Sequence, residues 1–312
     1  MIKNKTVPIF FSCDDNYMPF LSVAIRSLAD NADSSYEYKI YVLHSGLREE
    51  NRTRVAKMAR NGFEIKFVDV TGKLKLLGDA LHLRDYYTAS IYFRIFIPGL
   101  FPQYEKAIYL DSDIVVAGDI SRLYETDLGD KLVGAVPDDI IASRQEYINY
   151  AENAIGLPYR EYFNSGMMLM NLEGMREAEL EETFIYLLNT YHFDTVCPDQ
   201  DYLNALCAGR VLYLDKGWNK MSIDKNYVGV PSVIHYNMFY KPWQYDGIAY
   251  GEYFWKYATR VAFFEDILRI RANFSSADSE AQRQGELVLR ANAQRISESE
   301  FTFKNVLCAC KS

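Results

Sequence analysis

Cysteine is scarce and shows no pairing pattern: five residues in 312, at positions 13, 197, 207, 308 and 310, with no Cys-x-x-Cys spacing. An odd count without paired spacing excludes a disulfide framework and a zinc module, leaving buried thiols in a reducing compartment as the simplest reading. Long apolar runs are missing too. Nowhere do 18 apolar residues follow one another, so no segment reads as a bilayer-spanning helix. The short apolar run after Lys3 and Lys5 stops at Asp14 and Asp15, with no small-residue cleavage site behind it, and does not read as a signal peptide. A cytoplasmic protein is expected, with contact at the inner membrane face left open. Basic charge is in short supply, Lys+Arg 34 against Asp+Glu 42, for a net −8. Such a chain has no global electrostatic reason to bind nucleic acid. Neither a Gly-x-Gly-x-x-Gly turn after the first strand nor a phosphate-binding Gly-x-x-x-x-Gly-Lys-Ser/Thr loop occurs, so dinucleotide and P-loop chemistry lack support.

What is present is an ordinary globular balance, 49% hydrophobic and 24% charged, in an alternating α/β order. Residues 7–12 read as a strand, and Leu21, Ala24, Ile25 and Leu28 then recur at helical spacing. Strands are expected at 40–43 and 65–70, with a charged helix at 49–60 between them and Gly62 ending it. A Tyr-rich helical stretch at 86–96 leads to a buried strand at 107–110, and further strands follow at 133–136 and 167–172. The expectation is a mixed or largely parallel sheet flanked by helices. A main domain over residues 1–274 and a polar tail over 275–312, helical or poorly ordered, complete the layout. No internal repeat is visible.

Ligands of open α/β sheets collect at the carboxyl ends of strands. Asp14 and Asp15 follow the first strand, and Asp111 and Asp113 follow the 107–110 strand. Two carboxylates two residues apart face the same side and repel unless a divalent cation holds both ionised. Downstream, the apolar run 233–234 delivers His235, with Lys241 and Trp243 close behind. An imidazole beside two carboxylates favours Mn²⁺, with Mg²⁺ as the alternative, because nitrogen suits the later metal.

Five segments occur in one order: Phe11-Ser12-Cys13-Asp14-Asp15-Asn16-Tyr17, Tyr109-Leu110-Asp111-Ser112-Asp113, Phe163-Asn164-Ser165-Gly166, Asp199-Gln200-Asp201, and His235 through Trp243. In this the chain resembles the family 8 glycosyltransferases, in particular the bacterial lipooligosaccharide and lipopolysaccharide α-galactosyl- and α-glucosyltransferases. The resemblance implies a GT-A fold, a Rossmann-like nucleotide-sugar-binding α/β architecture. It also implies Mn²⁺-dependent transfer of a hexose from UDP-galactose or UDP-glucose, with retention, to a glycan or lipid-linked saccharide. By matching position, Asp14, Asn16 and the Ser12 backbone would hold uracil and ribose. Asp111, Asp113 and His235 would bind the metal, with Ser112 between the two aspartates on the substrate. Lys241 would contact the diphosphate, and Arg94, Asp138, Asn164, Asp199 and Gln200 would surround the sugar. Gln200 lies beneath the sugar in this resemblance, and an amide is a poor nucleophile. Front-face attack is therefore preferred, with Asp201 as the fallback nucleophile; the competing view has residues 199–201 merely capping a helix at 202–207. The family usually carries a glycine shortly after the histidine where this chain has Met238, and a Cβ there is expected to force the loop onto a different course.

Two other readings of the same residues remain. A haloacid-dehalogenase-type phosphohydrolase would use Asp111-x-Asp113 with Asp138-Asp139, but would leave Asn16, His235 and Lys241 idle. A non-catalytic sugar-nucleotide-binding protein is compatible with the fold. The aromatic stretch 236–264 could dock on a membrane or pack as helices against the domain. From 239 to 274 the charges sum to only +1, five basic against four acidic, which favours packing. Acceptor, oligomeric state and the glucose/galactose choice are not encoded in any motif.

Overall fold

In a computed structural model of the chain, residues 5–76, 89–223 and 227–309 are described. The first strand, β1 (Lys5–Ser12), is apolar on both faces, as a central parallel strand must be. Val7, Ile9 and Phe11 point into one core and Phe10 into the other. Helix α1 (Met18–Asn31) buries most of its length against the former core. Strand β2 (Tyr36–His44), helix α2 (Glu49–Ala56) and strand β3 (Phe63–Asp69) complete the first β-α-β half. The stretch expected to be helical at 86–96 is a 3₁₀ helix over Ala89–Phe96; its first three residues lie outside the described region. The β-branched and aromatic residues Ile91, Tyr92, Phe93, Ile95 and Phe96 are weak α-formers, and tertiary packing sets their conformation instead.

Strand β4 (Lys106–Leu110) pairs in parallel with β1, and β5 (Ile114–Val116) leaves the main sheet just after the Asp-x-Asp turn. Then come β6 (Val133–Pro137), helix α3 (Gln145–Tyr150), β7 (Phe163–Asn171), helix α4 (Leu180–Tyr191), helix α5 (Pro198–Leu206) and β8 (Val211–Tyr213). The seven-stranded order is β3-β2-β1-β4-β7-β6-β8, and β7 alone runs antiparallel. This reversal places the start of β7, Asn164 to Gly166, beside the carboxyl ends of β4 and β6. Side-chain alternation in β7 sends Met168 and Met170 into one core and Met167 and Leu169 into the other.

A second sheet joins β5 to β10 (Val233–His235) and β9 (Lys220–Met221). In it His235 lies opposite Ile114, and the Tyr236 N–H bonds the Asp113 carbonyl at 3.0 Å. Three antiparallel pairs thus bring a histidine from far along the chain onto the Asp-x-Asp turn.

The aromatic segment is turned inward. Phe20 stacks on Trp243 at 3.8 Å, and Tyr236 and Phe254 pack beside them in a third core with helix α6 (Gly251–Ala258). Helices α7 (Phe264–Asn273), α8 (Ser276–Ser297) and α9 (Phe303–Ala309) follow. A capping box between Ser275 and Asp278 starts α8, and Leu289, Ala293, Ile296 and Phe303 enter the same core as the main sheet. Among the described residues no helix is long and apolar enough to cross a membrane, and Cys13, Cys197 and Cys207 are not joined in disulfides.

Candidate active site

A cavity of about 820 Å³ opens at the carboxyl edge of the sheet. Ser12, Asp14 and Asn16 after β1, Asp111 to Asp113 after β4, and Asp138 after β6 line it. So do Asn164 at the start of β7, Asp199 and Gln200 in the first turn of α5, and Arg94, His235 and Lys241. Asp201 is the one sequence-predicted site residue that does not. Its carboxylate is fully buried behind the cavity, accepting from Tyr150 and Tyr162 hydroxyls at 2.7 and 2.5 Å and from the Val196 and Cys197 N–H groups at 3.0 and 2.9 Å. Burial pushes its carboxyl up to about 7 against those four donors. With its lone pairs so occupied Asp201 has nothing to offer a sugar carbon, and it holds the N-terminus of α5 instead.

Asp111, Asp113 and His235 each offer one ligand atom, all within 4.8 Å of one another. Each aspartate is held on one oxygen and presents the other to the histidine. Asp111 Oδ1 accepts from Arg94 and from the Tyr109 hydroxyl, both at 2.9 Å, while Oδ2 lies 3.7 Å from His235 Nε2. Asp113 Oδ2 accepts from Lys241 at 2.5 Å, while Oδ1 lies 3.2 Å from His235 Nε2. Burial alone would raise the Asp113 carboxyl, but Lys241 and then His235 hold it well below the usual carboxylate range.

The imidazole orientation follows from a chain of amides. Asn164 Nδ2 donates to Asp138 Oδ2 at 2.9 Å, and Asn219 Nδ2 donates to Asn164 Oδ1 at 2.9 Å. Asn219 Oδ1 must then accept, so His235 Nδ1–H donates to it at 3.0 Å, which leaves Nε2 directed at the carboxylates. Asn219 escaped sequence reasoning because an asparagine after Trp218 carries no local signal. The cradle is also tight. A Cβ on Gly166 would overlap His235 Cε1 and lie 2.5 Å from Asp111 Oδ2. Two oxygens and an imidazole nitrogen aimed at one point fit a divalent cation.

Around this cluster Arg94 binds Asp111, pairs with Asp199 at 3.1 Å and donates to the Ser165 carbonyl at 2.8 Å. Burial raises the Asp199 carboxyl, with Arg94 opposing. Gln200 accepts from the Ser165 N–H at 2.9 Å and donates to Asp138 at 3.0 Å. Ser112 Oγ donates to the Ser12 carbonyl at 2.9 Å, tying the ends of β1 and β4 together, so that carbonyl already has a partner. Asp14 Oδ1 accepts from the Asn16 and Tyr17 N–H groups, while Asp15 fastens Asn51 at 2.7 Å. Lys241 also donates to the Tyr236 carbonyl. Met238 keeps a left-handed backbone, φ 54°. Methionine there occupies the conformation glycine favours.

The glycosyl transferase family 8 model matches residues 8–247. The chain belongs to that family. This family 8 glycosyltransferase is 29% identical over 265 residues to general stress protein A of Bacillus subtilis, covering 78% of this chain and 89% of that one. It is 27% identical over 262 residues to the lipopolysaccharide 1,2-glucosyltransferase of Escherichia coli, covering 77% and 73%. Among solved structures, the apo bifunctional glycosyltransferase WbbM matches with TM-score 0.74 at 25% identity over 88% of this chain, which spans about half (53%) of WbbM. The galactosyltransferase LgtC in complex with donor and acceptor sugar analogs matches with TM-score 0.68 at 28% identity, covering 82% of this chain and 96% of LgtC. The family assignment displaces the phosphohydrolase reading and identifies the enzyme as a glycosyltransferase with the expected fold.

Proposed function

We propose that the enzyme transfers a hexose from UDP-glucose or UDP-galactose to a saccharide of the cell surface, with retention and with Mn²⁺ bound by Asp111, Asp113 and His235. The observation that carries this reading is the three-ligand cluster with its pre-aimed Nε2, set within one cavity beside Arg94, Asp138 and Gln200. A bound cation would act as a Lewis acid on the diphosphate of the leaving UDP. Asp14 and Asn16 would hold the nucleoside, Lys241 the diphosphate, and Asp138, Asn164, Asp199 and Gln200 the hexose.

The carboxylates near the sugar are already engaged. Asp138 Oδ2 accepts from Asn164 and Gln200 and its Oδ1 from the Ile140 N–H, and Asp199 accepts from Ser165 and pairs with Arg94. With Asp201 walled off, this supports front-face transfer. The C1–O bond to UDP breaks, the acceptor oxygen bonds C1 on the same face, and its proton passes to the departing diphosphate. Asp199 and Gln200 would stabilise the positive charge that develops at the sugar ring.

The likeness to a lipopolysaccharide glucosyltransferase and to LgtC supports a lipid-linked or surface glycan as acceptor. The test is UDP release from a panel of UDP-sugars with and without Mn²⁺, for the wild type and an Asp111→Ala/Asp113→Ala double variant. Mn²⁺-dependent release from one donor, lost in the variant, is expected. Release without Mn²⁺, or undiminished in the variant, would overturn the metal assignment.

A further inference from the structure

The segment Asn164-Ser165-Gly166 opens β7 against the metal cradle, and two of its three residues already have a reason to be there. Asn164 carries the amide chain, and Gly166 leaves room for His235 and Asp111. Ser165 lies between them, 3% exposed, with its hydroxyl among three groups that the proposed transfer uses. Its Oγ is 2.9 Å from Arg94 Nη1, 3.1 Å from Asp199 Oδ2 and 3.4 Å from Gln200 Oε1. A hydroxyl so buried is costly unless its hydrogen bonds are complete.

The direction of those bonds follows from which groups can donate. A guanidinium only donates, so Ser165 Oγ accepts from Arg94 and must send its own proton elsewhere. Gln200 Oε1 is the farther acceptor and already receives the Ser165 N–H at 2.9 Å. Asp199 Oδ2 is nearer and carries charge, so the hydroxyl donates there. Arg94 Nε also lies 3.1 Å from Asp199 Oδ2, but its N–H is directed to the Ile91 carbonyl at 3.0 Å. Among the described residues Ser165 is therefore the side chain that hydrogen-bonds the Asp199 carboxylate. Burial raises that carboxyl, and both Arg94 and Ser165 oppose the rise.

We propose that Ser165 is a positioning residue of the transfer step: its hydroxyl, polarised by Arg94, fixes the Asp199 carboxylate beside the donor sugar. The inference rests on the transferase reading above, in which Asp199 stabilises the charge that develops at the ring. An alanine at this position leaves the surrounding bonds standing. Arg94 keeps the Ser165 carbonyl at 2.8 Å and Asp111 at 2.9 Å, while Gln200 keeps the Ser165 N–H and Asp138. What alanine removes is the hydroxyl between Arg94 and Asp199. Charge at the ring appears only in the transition state, so the loss falls on kcat and spares KM.

Steady-state UDP release with Mn²⁺, from the UDP-sugar that the wild type turns over, tests this on Ser165→Ala and Ser165→Cys. Cysteine keeps the volume and offers only a weak S–H donor, so it separates loss of the hydrogen bond from the effect of a cavity. Both variants should lose roughly 10-fold in kcat, the worth of one hydrogen bond to a charged group, with the donor's KM within about 2-fold of wild type. In an Asp199→Asn background the same replacements should cost less than about 3-fold, because the anion they serve is gone. Calorimetry should show UDP binding unchanged in both variants. An unchanged kcat, a loss confined to KM, or an equally large loss in the Asp199→Asn background overturns the role. Loss of UDP binding in both variants would overturn it too, by placing Ser165 in the architecture of the whole cavity and not at Asp199. No release by the wild type from any UDP-sugar would instead refute the transferase reading itself.

Discussion

Gly166 offers a direct test of how tightly the metal cradle is built. Replacing it with alanine adds a single methyl group. That methyl would overlap His235 Cε1, lie 2.5 Å from Asp111 Oδ2 and approach Asn164 Oδ1 at 3.0 Å. Comfortable contacts between such atoms begin at roughly 3.5 Å, so at least one ligand must retreat by about 1 Å. None can do so freely. His235 is pinned by Asn219, Asp111 by Arg94 and Tyr109, and Asn164 by Asp138. Overpacking of a rigid site costs about 1–3 kcal/mol of stability. Disturbing the support of a metal ligand costs roughly 10- to 100-fold in affinity. The assay is a Mn²⁺ titration followed by the electron paramagnetic resonance of the free ion, paired with a urea melt. Gly72→Ala is the control, since a Cβ there meets nothing within 4 Å. Wild-type Mn²⁺ affinity in Gly166→Ala, with an unchanged melt, would refute the proposed cradle.

Met238→Gly should raise stability by about 0.5–1 kcal/mol, because relief of the left-handed backbone outweighs glycine's extra freedom when unfolded; a lower urea midpoint would show that the side chain contributes more than its backbone costs. Asp201→Asn should lower stability by about 2–3 kcal/mol, since an amide cannot accept from all four donors, and should leave the residual folded enzyme active. A stable but inactive Asp201→Asn would instead reinstate Asp201 as the nucleophile. Without metal, Asp113 titrates below its ordinary value of 3.8 in the folded chain, so its contribution is present above that pH and disappears as pH falls through the folded value. Lys241→Met removes the main cause of that depression, costs about 3 kcal/mol at neutral pH and moves acid unfolding to higher pH, measured by circular dichroism; an unmoved acid midpoint would mean that Lys241 does not stabilise the Asp113 anion.

Much of the site was legible in the sequence because its residues fall at strand ends, where hydrophobic runs stop and polar groups begin. Asp14 and Asp111 announce themselves in this way, whereas Asp138 was named only through the family resemblance. His235 was legible as a candidate ligand, but the small antiparallel sheet that delivers it was not. The reversed direction of β7 has no local signature, since strand periodicity is the same in either direction. Asn219 was invisible for a related reason: its importance lies in two partners 55 and 16 residues away. At Met238 the sequence could not show the backbone: the surrounding structure holds methionine in the left-handed conformation that glycine favours. The segment after Ser275 was read as a polar tail because few of its residues are apolar. Those few, Leu289, Ala293 and Ile296, recur on one face and reach the central core.

The amide chain from Asp138 to His235 bears on attempts to redesign the enzyme. Asp138 Oδ2 receives both Asn164, which leads through Asn219 to the imidazole, and Gln200, proposed above to face the sugar. Altering Asp138 to admit a different hexose would release the first link of the chain that aims Nε2. If the proposed roles hold, donor preference and cation hold are not independent dials: a library that varies position 138 alone is expected to be dominated by variants that bind the ion poorly, whereas one that varies 138, 164 and 219 together can find new amide arrangements that keep Nε2 aimed.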